Sequence, residues 1–221
     1  MTKLWACLAV LLLWPATGGA EPGAFEGKVV VEWVDEGFVP SMRLVQDFGF
    51  RQSDGKLWTA EHGRLLEGKA MPPLFRDLVG HPFDGGFRKA AVVYDVAAQK
   101  MTEHWQKSQR MFFEASVAEG VPEPEAKIMY LVLAAQGTRW EIPGSRCYGS
   151  CHGQVEPLEW RPVVDETRLG ELMKWVRTDD PKIEAIDQQV HEAIRAYGPH
   201  IFEQPKCNRF SGSTMIRKSC D

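Results

Sequence analysis

The densest group of reactive side chains in this 221-residue chain is Cys147-Tyr-Gly-Ser-Cys151-His152. Two cysteines followed directly by a histidine are similar to a c-type haem attachment site, where both thiols form thioethers and the histidine becomes an axial ligand. The usual gap between the cysteines is two residues, and here it is three. On the haem reading, Met173, His191, His200 or Met215 would supply the distal ligand. A zinc site from Cys147, Cys151, His152 and Cys207 is a second reading. The leading reading is simpler. Cys7 falls in an N-terminal leader, and Cys147, Cys151, Cys207 and Cys220 remain. An even number in an oxidising compartment forms disulfides, and the three pairings stay open. A tail loop closed by Cys207 and Cys220 would gain about 2–4 kcal/mol per bridge, mainly by constraining the unfolded chain.

Asp95 is the second reactive position. It stands in an apolar helical stretch, near Ala91, Val92 and Ala98 on the wheel. Buried there, its charge needs a partner or its pKa rises. One reading makes it a ligand or base. The other makes it a partly exposed carboxylate paired with a basic neighbour. Asp179-Asp180 has the look of a catalytic pair, but Pro181 follows and helix capping accounts for it. No Gly-rich phosphate loop, Gly-x-Ser-x-Gly elbow or serine triad is found. Eight tryptophans, two of them in the leader, fill a core or mark a surface for glycan or protein.

These residues need elements to position them. Ala24 to Trp58 reads as strands. Lys28 to Val34 is β-branched and aromatic. Met42 to Phe50 has apolar residues at 42, 44, 48 and 50, with Val45 off-beat. Asp54-Gly55 is a hairpin turn leading to Leu57-Trp-Thr. From Pro72 the period changes. Pro72-Pro73 opens a short helix through Gly80. A helix follows from about Phe87 to Gln99. Thr102 caps the next, which runs to Glu119, and Pro122 to Ala135 is a third. Residues 137–164 are loop-like. Asp165 caps a helix with Leu169, Leu172, Met173 and Val176 on one face. Asp180-Pro181 starts another, carrying Ile183, Ile186, Val190 and Ile194, and Gly198-Pro199 stops it. The remainder is expected to be irregular.

The first twenty residues read as a signal peptide. Lys3 supplies the positive start, Leu4 to Trp14 the apolar run, and Gly18 and Ala20 the small residues of a cleavage site after Ala20. The run is too short to cross a bilayer, and no second stretch is apolar enough to do so. Removing Lys3 leaves 25 basic against 30 acidic residues, a formal charge of −5. With no basic block carrying interleaved aromatics, nucleic acid is not an expected partner. Nothing reads as a polybasic membrane anchor.

Five motifs follow one another between Leu57 and Trp140. They are Glu67-Gly-Lys-Ala-Met-Pro72, His81-Pro-Phe-Asp-Gly-Gly86, Arg88-Lys-Ala-Ala-Val-Val-Tyr-Asp95, Arg110-Met-Phe-Phe-Glu-Ala115 and Ala126-Lys-Ile-Met-Tyr130. That order resembles a small bacterial and phage family, domain-of-unknown-function family 1353 (DUF1353). Members of the family carry Asp-Gly-Ala-Ser-Ile-Pro at the first motif, then Gly-x-Pro-Phe-x-Gly, matched by residues 80–85. A helix ending in His-Asp follows, matched by Tyr94-Asp95, and then an Asp three residues before a Phe, where Gln109 precedes Phe112. The resemblance implies a polar set of Asp, His-Asp and Asp, groups that bind divalent metals or run acid–base chemistry.

In this chain those places hold Glu67, Tyr94, Asp95 and Gln109. Glu67 and Asp95 are the candidate catalytic residues. The Tyr94 phenol stays protonated near neutral pH and is a poor ligand beside imidazole. Gln109 is a neutral oxygen donor. With two of four members replaced, the site is degenerate or rerouted. A rerouted metal site would use Glu67, His81, Asp95 and His104, with His62 close in sequence. The opposing reading places these histidines at the surface, since no metal-ligand spacing recurs.

The sequence thus predicts an α+β fold: a small antiparallel β-meander, a three-helix layer, and a disulfide-bearing helical C-terminal extension. The expected divisions are a signal peptide over 1–20, an α+β domain over 21–140, and the extension over 141–221. The expected function is that of an exported, non-catalytic or degenerate accessory protein of the periplasm or exterior. Its partner would be an envelope protein or glycan, and no cofactor is favoured. A metal-dependent hydrolase and a mono-haem protein are the alternatives.

Overall fold

The computed structural model describes residues 23–34, 41–141, 158–162, 164–196, 206–211 and 214–219. The expected leader, Cys147, Cys151, His152, His200 and Cys220 lie outside the described residues. The fold is α+β.

Six short strands open it: β1 (Ala24–Glu26), β2 (Val31–Val34), β3 (Ser41–Leu44), β4 (Phe48–Arg51), β5 (Leu57–Ala60) and β6 (Leu65–Leu66). All pair antiparallel, in two sheets with orders β1-β4-β5 and β2-β3-β6. The stretch 42–50, expected to run as one strand, is two. Val45 breaks the alternation, is exposed, and stands where the chain bends out of one sheet into the other. β1 pairs with β4 across the intervening β2 and β3, placing Phe25 opposite Phe50 and stacking it on Phe48 at 5.6 Å. The Asp54-Gly55 turn is as expected. Gly55 takes φ 88°, and the Asp54 carboxylate accepts from the Lys56 amide at 2.9 Å.

Four helices follow: α1 (Pro73–Val79), α2 (Arg88–Lys100), α3 (Trp105–Glu119) and α4 (Glu123–Gln136). Pro73 starts α1 and Gly80 ends it. The cap of α3 differs from expectation. His104, not Thr102, accepts from the Gln106 amide, through Nδ1 at 3.3 Å. α2 and α4 are apolar on nearly every side and lie in the interior. α2 packs between the strands and α3.

α4 divides the core. Met129, Val132 and Leu133 face the cluster shared with α2, α3 and the strands. Ile128, Tyr130, Leu131, Ala134 and Ala135 face a second cluster built with α5 (Glu166–Asp179) and α6 (Ile183–Ala196). Asp165 caps α5 as expected, accepting from the Arg168 amide at 3.1 Å. Asp180 ends α5 in the left-handed region, φ 45°, instead of opening α6, and takes Lys127 Nζ at 2.7 Å.

Two further pairs were not legible. β7 (Arg139–Glu141) pairs with β8 (Leu158–Trp160) inside the expected loop region. β9 (Lys206–Ser211) pairs with β10 (Thr214–Ser219) in the tail expected to be irregular. Neither β7 nor β8 is longer than three residues, too short for a period to register.

Candidate functional site

The loop Glu67-Gly-Lys-Ala-Met71 joins β6 to α1 and crosses the middle of α2. Asp95 holds it there. Its Oδ2 accepts from the Glu67 amide at 3.0 Å, the Gly68 amide at 3.3 Å and Gln99 Nε2 at 3.2 Å. Gly68 takes φ 65°, a left-handed conformation that turns successive amides toward one acceptor. Pro82 would meet a Cβ at residue 68 at 3.3 Å, so the second motif packs directly on the first.

Asp95 is 3 % exposed. Burial pushes its carboxyl up, and the Glu67 charge adds to that, while the amides of Glu67, Gly68 and Ala70 pull it back. The burial expected for Asp95 in the first reading is present, with its pKa raised. Asp95 is not a partly exposed carboxylate with a basic partner. It is a buried acceptor for backbone amides.

Tyr94 and Gln109 lie in the same interior, each fully buried. Burial pushes the Tyr94 phenol well up, and the nearby Gln109 side chain opposes it. The two are neighbours without hydrogen-bond geometry: Tyr94 Oη and Gln109 Oε1 are both without a partner. Gln109 Nε2 instead donates to the Leu133 carbonyl at 3.0 Å, tying α3 to α4. The four places implied by the resemblance therefore gather around α2, as a set that ties backbone and fills core.

The other candidates go elsewhere. The Glu67 carboxylate is partly exposed and pairs with Lys69 Nζ at 2.8 Å. His81 is exposed, and its Nδ1 accepts from the Phe83 amide at 3.4 Å. His104 is committed to its cap, and burial, then Lys107 and Arg139, pull its pKa down. His62 is exposed in a turn. Among the described residues, no three His, Cys, Asp or Glu side chains gather where they could hold one ion.

Sequence reasoning missed two residues that fix this region. Arg161 donates to the Lys69 carbonyl at 3.0 Å and to Thr138 Oγ1 at 3.2 Å, bridging the motif loop to the end of α4. Glu119 accepts from the Lys89 and Ala90 amides at 2.9 and 3.0 Å, so a side chain ending α3 caps the start of α2. Both act over long sequence separations and leave no local pattern.

The fold is α+β, and at its centre Asp95 and Gln109 bond the backbone of neighbouring elements. Residues 42–133 match the family described as protein of unknown function (DUF1353). Two relatives come from Sinorhizobium fredii. The uncharacterized protein y4iH is 31 % identical over 106 residues, covering 47 % of this chain and 44 % of its own. The uncharacterized protein y4jT is 29 % identical over 120 residues, covering 54 % and 36 %. The chain thus spans less than half the length of these relatives. No solved structure matches it. Among the described residues, no helix is long and apolar enough to cross a membrane.

Proposed function

We propose that the chain is an exported, non-catalytic binding or accessory protein of the cell envelope, in which the DUF1353 polar centre has become a structural latch. The observation that carries this reading is the use of Asp95: three donors converge on Oδ2 of a carboxylate that solvent scarcely reaches. Oδ2 is thereby committed to holding the 67–71 loop and Gln99. Glu67 is the only other carboxylate of the polar set, and it pairs with Lys69. The surface above the latch, bearing the Glu67 and His81 side chains, is the proposed contact for an envelope protein or glycan. The leader, with cleavage after Ala20, directs the chain to the periplasm or exterior.

Elemental analysis of the purified full-length protein tests the non-catalytic part. Zinc and manganese well below one per chain are expected, unchanged in Asp95→Ala. Stoichiometric metal that disappears in Asp95→Ala overturns the reading. Fractionation of cells expressing the tagged chain tests export, with the processed form expected outside the cytoplasm.

A further inference from the structure

We propose that the groove between α5 and α6 is a saccharide site for a neutral hexose oligomer, a surface separate from the Asp95 latch. It goes beyond the reading of the chain as a binding protein by adding a second surface, with its own ligand class.

Two adjoining hollows of ≈ 360 and ≈ 400 Å³ meet at Arg168. Each is within the size range of small-ligand sites. The half-buried Trp175 lines the first, one helical turn beyond Glu171 and two beyond Arg168. Its indole rests on the α5–α6 core cluster. That support fixes an aromatic wall on which the apolar C–H face of a sugar ring can lie.

Beside it runs a chain of planar polar groups. Arg168 Nη1 donates to Glu171 Oε2 at 3.0 Å and Nη2 donates to Gln189 Oε1 at 3.0 Å. Gln189 Nε2 donates onward to Glu192 Oε2 at 3.0 Å, and Gln188 Nε2 reaches Glu192 Oε1 at 3.1 Å. The part-buried Arg168–Gln189 bond joins α5 to α6, and the other three each link neighbours within one helix. Guanidinium, amide and carboxylate together offer donors and acceptors in alternation. Sugar hydroxyls, which donate and accept at once, fit that pattern. The lining carries Arg168 against Asp165, Glu171 and Glu192. This negative balance disfavours uronic acids and phosphates and selects neutral sugars.

The test is titration of the full-length protein with chitotetraose and cellotetraose, read by tryptophan fluorescence and calorimetry, with polygalacturonate as the acidic control. Saturable binding of at least one neutral oligomer is expected. Trp175→Phe, which keeps the core contact but shrinks the platform, and Gln189→Leu, which cuts the polar row, should each weaken it about tenfold or more. Gly86→Ala, where a Cβ meets nothing within 4 Å, should leave it unchanged. Absence of binding by both neutral oligomers, binding of polygalacturonate alone, or neutral binding indifferent to both groove variants would overturn the proposal. The metal assay of the latch is unaffected by any of these results, so the two readings fail separately.

Discussion

Asp187 of α6 ties two residues from different helices: Tyr130 of α4 donates its hydroxyl to Oδ1, and Arg110 of α3 pairs with Oδ2. The same Tyr130 is fully buried in the cluster that α4 shares with α5 and α6. Burial, then the Asp187 bond and charge, push its phenol far up, so it remains a donor at every physiological pH. Asp187→Ala would leave the buried Tyr130 hydroxyl without its acceptor and the half-buried Arg110 guanidinium with Glu184 alone, at 3.5 Å. A loss of about 2–4 kcal/mol is expected by chemical denaturation. A loss below about 0.5 kcal/mol would show that α6 docks by apolar contact alone.

Tyr94→Phe is expected to behave in the opposite way. The Tyr94 hydroxyl is fully buried and has no partner, so its removal takes away a desolvation cost and little else. The variant should be as stable as the parent or more so, by up to about 1 kcal/mol. A clear loss of stability would mean the hydroxyl is engaged in solution and that the centre has kept a polar role.

Gly137 lies where a side chain cannot. A Cβ there would sit 2.4 Å from the Leu133 carbonyl and 2.9 Å from Gln109 Nε2. Gly137→Ala must displace backbone or break the Gln109 tie, and should cost about 1–3 kcal/mol. Gly86→Ala is the control, since a Cβ there meets nothing within 4 Å.

Buried and paired carboxylates give opposite pH signatures. Burial lifts Asp95 and Glu119 above their ordinary values of 3.8 and 4.5. The folded state therefore holds these protons more tightly than the unfolded one. Their contribution is complete below the ordinary values and is lost as pH rises through the raised ones. Glu103 is held low by its Lys56 hydrogen bond, so its contribution is present above 4.5 and lost as pH falls through its lowered value. Between about pH 4 and about pH 7, Tm relative to the parent should rise for Asp95→Asn and Glu119→Gln. For Glu103→Gln it should be level above 4.5 and rise relative to the parent as pH falls below that value. Thermal melts from about pH 2 to about pH 7 check all three, and one common direction for both classes contradicts the assignment.

Helix periodicity carried most of the fold. The apolar faces of α3, α5 and α6, the Pro73 start, the Gly80 and Gly120 stops and the Asp165 cap are local signals, and the chain obeys them. The sheets were only partly readable. Pairing of β1 with β4 depends on Phe25 meeting Phe48 and Phe50 across more than twenty residues, which no window records. At the centre, the positions of Glu67, Asp95 and Gln109 were legible through the resemblance, but their roles were not. An aspartate that accepts from backbone amides has the same letter as one that binds a metal. Only the register between the 67–71 loop and α2 tells them apart. Thr102 was read as the α3 cap because hydroxyls cap helices often, but the helix starts later and the imidazole of His104 takes that place.

The proposed latch has the Asp95 carboxylate accepting hydrogen bonds from the 67–71 loop. Chemical denaturation of Asp95→Asn beside Asp95→Ala is the decisive measurement. Asparagine can set its carbonyl where Oδ2 stands and should keep stability within about 1 kcal/mol of the parent, whereas alanine strands the amides of Glu67 and Gly68 and should lose about 2–4 kcal/mol. Equal losses in the two variants, or none in either, would contradict the latch.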